Sequence, residues 1–110
     1  MMFGSKEDKI NKAIEKKQPA NLIKFSQDKD KSIVLAAIKG LGQVKDDDCF
    51  NALVPFLSNP DSELRGAAAA ALGEQGNAHG KAFLLHAFTA EKDEKVKKLM
   101  EQASGKLGDY

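Results

Sequence analysis

Hydrophobic residues recur along this chain at intervals of three and four. The clearest runs have apolar residues four apart, at Ile33, Ala37 and Leu41 and again at Leu64, Ala68 and Leu72. Such spacing places side chains on one face of an α-helix, whereas a half-buried strand needs alternation between apolar and polar residues. That alternation does not extend over any long segment. The pattern therefore predicts an all-α protein with about seven helices.

The helical pattern itself repeats along the chain. With an offset of 31 residues, segment 28–42 aligns with segment 59–73, and an offset of 32 continues the match to Gly105. The segments that precede these repeat at the same spacing, so each unit is interpreted as a pair of helices. The third copy is degraded, with Ser104 in place of a leucine, as is common where a terminal repeat meets solvent. The sequence predicts a single domain over residues 1–110, with a capping helix at about 5–17 and repeats at about 19–43, 46–75 and 79–108.

Helix boundaries are indicated by residues with known positional preferences. Ser5 with Asp8 has capping-box-like spacing, and Asp61 is placed to cap the helix that follows it. Pro19 suits the first turn of a helix. Gly73 is expected to supply a left-handed residue at a helix C-terminus. The five alanines at 67–71 fit a helix that packs closely between neighbours, because small side chains let helices approach.

The motif PDSELRGAAAAALGEQGN at 60–77 resembles the short HEAT-like repeats first recognised in phycocyanobilin lyases. The matching positions are Glu63, Leu64, Arg65, Ala68, Ala71, Leu72, Gly73, Gly76 and Asn77. The resemblance extends over about residues 19–108 and implies a right-handed α-solenoid of about three helix pairs plus the N-terminal helix. It also implies protein–protein interaction, and it does not imply lyase activity, since most proteins with these repeats are not lyases.

One departure from the family pattern concerns a polar position. The family often carries an arginine in each copy that bonds an acidic turn residue nearby, and the three copies here have Val34, Arg65 and Lys97. The polar ladder between repeats is therefore expected to be weak.

Composition and charge exclude some classes of protein. The formal net charge is +1, with a local +5 over residues 1–45 and −5 over residues 46–80. This asymmetry either orients a partner electrostatically or only keeps a small helical protein in solution. No apolar run approaches the length needed to cross a bilayer, so no membrane association is expected and the predicted location is the cytoplasm. Cys49 lies in an apolar stretch and is expected to be a buried, inert thiol.

Candidate catalytic and metal-binding patterns are incomplete. His79 and His86 lack a cysteine or carboxylate at the spacing of a helical metal pair, and both are expected at a helix end or in solvent. The acidic run 46–48 lacks the glycine and the terminal glutamate of a calcium loop, and the segment that starts at Asp28 has Ile33 where that loop requires glycine. The lysines of the N-terminal helix lack interleaved aromatic residues, which makes nucleic acid an unlikely partner. We expect no enzyme activity, no cofactor and no bound metal.

The second helix of each pair is expected to line one face of the solenoid. On those helices, positions four apart that the core does not use form the candidate partner-binding face: Leu35, Lys39, Gln43, Gly66, Ala70, Glu74, Lys98, Gln102 and Lys106. A shallow floor between long polar side chains fits a helix or extended peptide. The sequence favours a protein-interaction scaffold of unspecified oligomeric state. The alternative is an accessory or maturation factor for a cofactor-bearing enzyme, as in the bilin-lyase relatives.

Overall fold

The computed structural model describes residues 4–108 as an all-α fold, and it contains no strand in that range. Within residues 4–108, seven α-helices and one 3₁₀ helix follow one another. They are α1 (Lys6–Glu15), α2 (Pro19–Phe25), α3 (Lys31–Leu41), α4 (Asp47–Leu53), the 3₁₀ helix (Val54–Ser58), α5 (Ser62–Gln75), α6 (Gly80–Ala90) and α7 (Glu94–Lys106). The predicted all-α class and the predicted number of about seven helices are confirmed.

The helices form two layers. Helices α1, α3, α5 and α7 pack side by side in one layer, and α2, α4 with the 3₁₀ helix, and α6 form the other. The stack is elongated, with principal extents of 44 × 25 × 19 Å. None of the helices within residues 4–108 has the length and apolar character to cross a bilayer. Because α1 packs beside α3, the N-terminal helix extends the layer of second helices.

Side-chain caps begin most of the helices. Ser5 accepts a hydrogen bond from the backbone amide of Asp8, and Asp30, Asp46, Asp61 and Asp93 each accept one from an amide two residues further along. These bonds satisfy amides that have no partner inside the helix. Pro19 opens α2, where the lack of an amide hydrogen costs nothing. The caps predicted at Ser5 and Asp61 and the position predicted for Pro19 are confirmed.

The first helix of the middle pair changes geometry part-way. It is α-helical as far as Leu53 and continues as a 3₁₀ helix from Val54. Pro55 has no amide hydrogen to donate to the carbonyl of Asn51, so the α-helical ladder ends there. The 3₁₀ helix ends at Ser58, and the Asn59–Pro60 turn then leads into α5.

The glycine that ends α5 is Gly76, and the prediction for Gly73 is wrong. Helix α5 continues through Gly73 to Gln75, and Gly76 adopts the left-handed conformation with φ of 81°. A Cβ on Gly73 would lie 2.9 Å from the Cα of Ala103 in α7. Gly73 is therefore required by the close approach of two helices.

The core runs between the two layers, and α5 lies at its centre. Ala68 and Leu72 of α5 are fully buried, and Leu64 is partly buried against the same cluster. Gly42 at the end of α3 lies against Ala71, where a Cβ would come within 2.8 Å of the Ala71 carbonyl oxygen. Small residues on both sides of α5 thus set how closely the second helices pack.

Candidate protein-binding face

A groove lies on the layer of second helices, between α3 and α5. It has a volume of about 610 Å³ and is lined by Leu35, Lys39, Gln43, Ala67, Ala70, Ala71 and Glu74. The α5 side of its floor consists of alanines, and Leu35 contributes the largest apolar side chain of the α3 side. The close approach of Gly42 to Ala71 holds the two helices together at one end of this groove.

Five of the predicted face residues line this groove. They are Leu35, Lys39 and Gln43 on α3, and Ala70 and Glu74 on α5. The side chains of Lys98, Gln102 and Lys106 on α7 are exposed. Lys106 forms an ion pair of 2.9 Å with Glu74, which lines the groove. Its hydrogen bond to that carboxylate holds the pKa of Glu74 below its ordinary value.

Gly66 does not lie on this face, and its assignment there is wrong. It is buried, and a Cβ at this position would lie 2.9 Å from Cδ1 of Leu99 in α7. The groove is instead lined by the neighbouring Ala67. Glycine destabilises a helix relative to alanine. The close approach of α7 explains why a glycine is present at position 66.

The N-terminal helix adds a second cleft that the sequence-based assignment missed. This cleft, of about 400 Å³, lies between α1 and α3 and is lined by Glu7, Ile10, Asn11, Ile14, Glu15, Ala36, Lys39 and Gln43. Lys39 and Gln43 line both the cleft and the groove, so the two are continuous across α3. The spacing of Ile10 and Ile14 predicted a packed helix, but only the structure places that helix in the same layer as α3.

One edge of the stack carries a repeated set of polar contacts. At the turn before each second helix, a side chain accepts a hydrogen bond from the amide two residues further along the chain. The three acceptors are Asp28, Asn59 and Glu91, and the donors are the amides of Asp30, Asp61 and Asp93. Since each donor residue then caps its own helix, the three turns have the same local structure.

A cation from the preceding helix of the same layer reaches each of these turns. Lys6 pairs with Asp28 at 2.8 Å, and Lys31 pairs with Asp61 at the same distance. The third contact, from Arg65 to Glu91, has two parallel hydrogen bonds of 2.8 and 2.9 Å. The two lysine side chains are 55% and 48% exposed, and ion pairs that are open to solvent on one side stabilise proteins little. A ladder of ion pairs therefore joins the turns, but lysines at other positions form two of its steps, and its weakness stays a prediction.

The pair between Arg65 and Glu91 differs in its burial. The side chain of Glu91 is only 3% exposed, and Arg65 also donates to the carbonyls of Asn59 and Pro60. The hydrogen bonds from Arg65 hold the pKa of Glu91 below its ordinary value of 4.5. This contact ties the turn before α5 to the turn before α7 by a bidentate pair.

We expect this pair to make stability depend on pH in the acid range. Because the folded pKa of Glu91 is lowered, its contribution is present above the ordinary value of 4.5 and is lost as the pH falls towards the folded pKa. Urea unfolding at several pH values should give a wild-type advantage over Glu91→Gln that shrinks below about pH 4.5. Arg65→Gln should remove the same dependence, since both substitutions break one pair. Parallel stability curves for wild type and Glu91→Gln would contradict this assignment.

Cys49, His79 and His86 are the remaining candidates for catalytic or metal-binding residues. Cys49 is buried, and burial raises the pKa of its thiol to about 11, which keeps it protonated. His79 and His86 are both exposed, as predicted. Within residues 4–108, no three histidine, cysteine or acidic side chains are grouped so that they could hold a metal ion. The prominent surface feature is the open groove between α3 and α5.

A comparison with protein families identifies the repeats. A family described as HEAT repeats matches residues 19–105, which covers the three helix pairs. The chain belongs to the HEAT-repeat family. Members of this family generally mediate protein–protein interactions and are generally non-catalytic. Among curated proteins, none matches this HEAT-repeat chain.

Proposed function

We propose that this HEAT-repeat protein is a non-enzymatic interaction module that binds a protein or peptide partner in the groove between α3 and α5. One observation carries the proposal, namely an open groove with an apolar floor on the layer of second helices. Its alanines leave room for a partner's side chains, and its polar rim can bond the partner's polar groups. We also propose the cytoplasm as its location, in line with the composition.

The shape and lining of the groove favour a helix or an extended peptide. Small-molecule sites are concave and enclose most of the ligand, whereas this groove is open along its length. Apolar side chains at helical spacing suit the floor formed by Leu35, Ala67 and Ala70. Lys39 is exposed at the rim, where it can pair with an acidic side chain of the partner.

The experiment that tests this proposal starts from peptides selected on the wild-type protein from a library of helical and extended sequences. Ala70→Glu places a charge on the exposed floor of the groove. We therefore expect it to raise the dissociation constants of the selected peptides at least about tenfold. Stability should stay within about 0.5 kcal/mol, because Ala70 is exposed. Isothermal titration calorimetry measures the affinity, and urea titration measures the stability.

Asn51→Glu is the matched control, because Asn51 is exposed on α4 in the opposite layer. It introduces the same charge and should leave the affinity unchanged. Peptides that bind Ala70→Glu and Lys98→Glu as tightly as wild type would move the binding site to another face. A large loss of stability in Ala70→Glu would instead mean that Ala70 is a packing residue.

The accessory-factor alternative uses the same groove and differs only in the partner. A partner captured from the native cell that carries a chromophore or a metal would favour it, and absorption spectroscopy of the captured complex would detect either group. A partner with no cofactor favours the scaffold.

A further inference from the structure

The cleft between α1 and α3 continues the surface of the groove. The groove lies on one side of α3 and the cleft on the other, and Lys39 and Gln43 line both. Both side chains are exposed, and these two residues are called the α3 ridge. On one side of the ridge is the alanine floor of the groove, and on the other side Ile14 contributes to the lining of the cleft. A partner that lies in the groove therefore has a second depression directly beside it.

The cleft carries two carboxylates on its α1 side. Glu7 and Glu15 both belong to its lining and are exposed, and Asn11 lines the cleft between them. Because Asn11 is four residues from each glutamate, it lies about one helical turn from both. Lys39 of the α3 ridge lines the opposite side. A ligand that crosses α3 thus meets an ammonium group first and two carboxylates next.

The other charged side chains near these depressions are either paired or outside the lining. In the groove, the carboxylate of Glu74 forms its ion pair with Lys106. In α1, three further lysines are exposed but do not line the cleft, namely Lys9, Lys12 and Lys16. Successive residues of an α-helix are about 100° apart, so Lys12 and Lys16 are rotated by that angle from the lining positions that precede them. The order of charge across α3 is therefore set by Lys39 and the two glutamates.

We propose that the partner bound in the groove is an extended peptide whose chain crosses α3 and continues into the cleft. This inference rests on the proposed function of the groove, and it adds the path of the partner and the order of its side chains. An apolar side chain lies on the alanine floor of the groove, and an acidic side chain pairs with Lys39. A basic side chain then enters the cleft beside Asn11, within about one helical turn of both glutamates.

The α3 ridge favours an extended backbone over a helical one. The main-chain amides and carbonyls of a helix are bonded within the helix, so they are not available to side chains of the ridge. An extended backbone leaves them free, and the side-chain amide of Gln43 can both donate to them and accept from them. Neighbouring packed helices lie about 8–10 Å apart, which also separates the groove from the cleft. An extended chain spans this distance in about three residues.

The test uses the peptides selected on the wild-type protein and a variant of the cleft. Asn11→Lys places a cation where the basic side chain of the peptide is expected, so it should raise the dissociation constants at least about tenfold. The new side chain stands four residues from Glu7 and from Glu15, and pairs at this spacing stabilise a helix. Asn51→Lys is the matched control, because Asn51 is exposed on α4 in the opposite layer, and it should leave the affinity unchanged.

A charge swap provides a second measurement. A peptide with glutamate in place of its basic residue should bind the wild-type protein at least about tenfold more weakly, and Asn11→Lys should restore its affinity. Isothermal titration calorimetry measures both affinities, and circular dichroism verifies that the variants keep the wild-type helix content. If Asn11→Lys does not fold, Glu15→Lys replaces it, because Glu15 is exposed and lines the same cleft.

The outcomes separate this inference from the proposed function. If Ala70→Glu weakens binding but Asn11→Lys does not, the partner stays in the groove and its path across α3 is overturned. Peptides that bind Ala70→Glu as tightly as wild type, or a library from which no peptide binds, would overturn both proposals. Equal losses in Asn11→Lys and Asn51→Lys would reveal a general effect of charge and contradict the inference. A gain of helix by the peptide on binding, measured by circular dichroism, would contradict the extended path.

Discussion

Leu72→Ala should lower the free energy of unfolding by roughly 2–5 kcal/mol, the range seen when a leucine is removed from a packed core. Leu72 is 1% exposed on α5, the central helix of the stack. Its Cδ2 reaches the N-terminus of α6, where a Cβ on Gly80 would lie 3.9 Å from it. Truncation removes buried apolar area and leaves a cavity between the two layers that rigid helices fill only in part.

The same truncation at an exposed leucine provides the control for Leu72→Ala. Leu85 is 49% exposed, so Leu85→Ala should change stability by no more than about 0.5 kcal/mol. Urea titration followed by circular dichroism measures both, under conditions in which the wild-type protein is monomeric. A loss below about 0.5 kcal/mol for Leu72→Ala would mean that α5 does not occupy the centre of the stack.

The second large effect is expected for Gly73→Ala, and it is compared with the same substitution at Gly105, the equivalent position of the next repeat. Gly73 lies inside α5 against α7, where a Cβ would come within 2.9 Å of the Cα and 3.0 Å of the Cβ of Ala103. These atoms belong to the backbone and the base of a side chain, so one helix must move to make room. Gly73→Ala should therefore destabilise the protein by about 1–3 kcal/mol, although alanine is the better helix former.

Gly105 is the matched position in α7, and it should respond with the opposite sign. A Cβ there meets nothing within 4 Å. Gly105→Ala should stabilise the protein by about 0.5 kcal/mol, because only the helix propensity changes near the end of α7. Thermal and urea unfolding of both variants provide the comparison. Equal effects of the two substitutions would show that the distance between α5 and α7 does not depend on Gly73.

Much of the fold could be predicted from the sequence, because the determining interactions are local. Apolar residues at helical spacing indicated the helices, and the side chains of Ser5 and Asp61 indicated where two of them begin. Each of these signals involves residues within a few positions of one another. The repeat at intervals of 31 and 32 residues showed that the units are alike. It therefore predicted that they stack on one another.

The residues that line the groove could be predicted only in part, since the lining depends on how one helix is rotated against the next. The predicted face positions on α3 line the groove, as do Ala70 and Glu74. Gly66 does not, because it lies on the side of α5 that meets α7, and the sequence does not state which side that is. Along an all-alanine and glycine stretch, no large side chain marks the face that is buried.

The sequence by itself determined the helices, most of their boundaries and the number of repeats, since these follow from interactions along one segment. The tertiary structure decided the roles of Gly66 and Gly73, the place of α1 beside α3, and the pairing of Arg65 with Glu91. Arg65 and Glu91 are 26 residues apart, and Gly73 and Ala103 belong to different helices. Contacts of this kind depend on the distance and rotation between packed helices, which no local pattern of residues specifies.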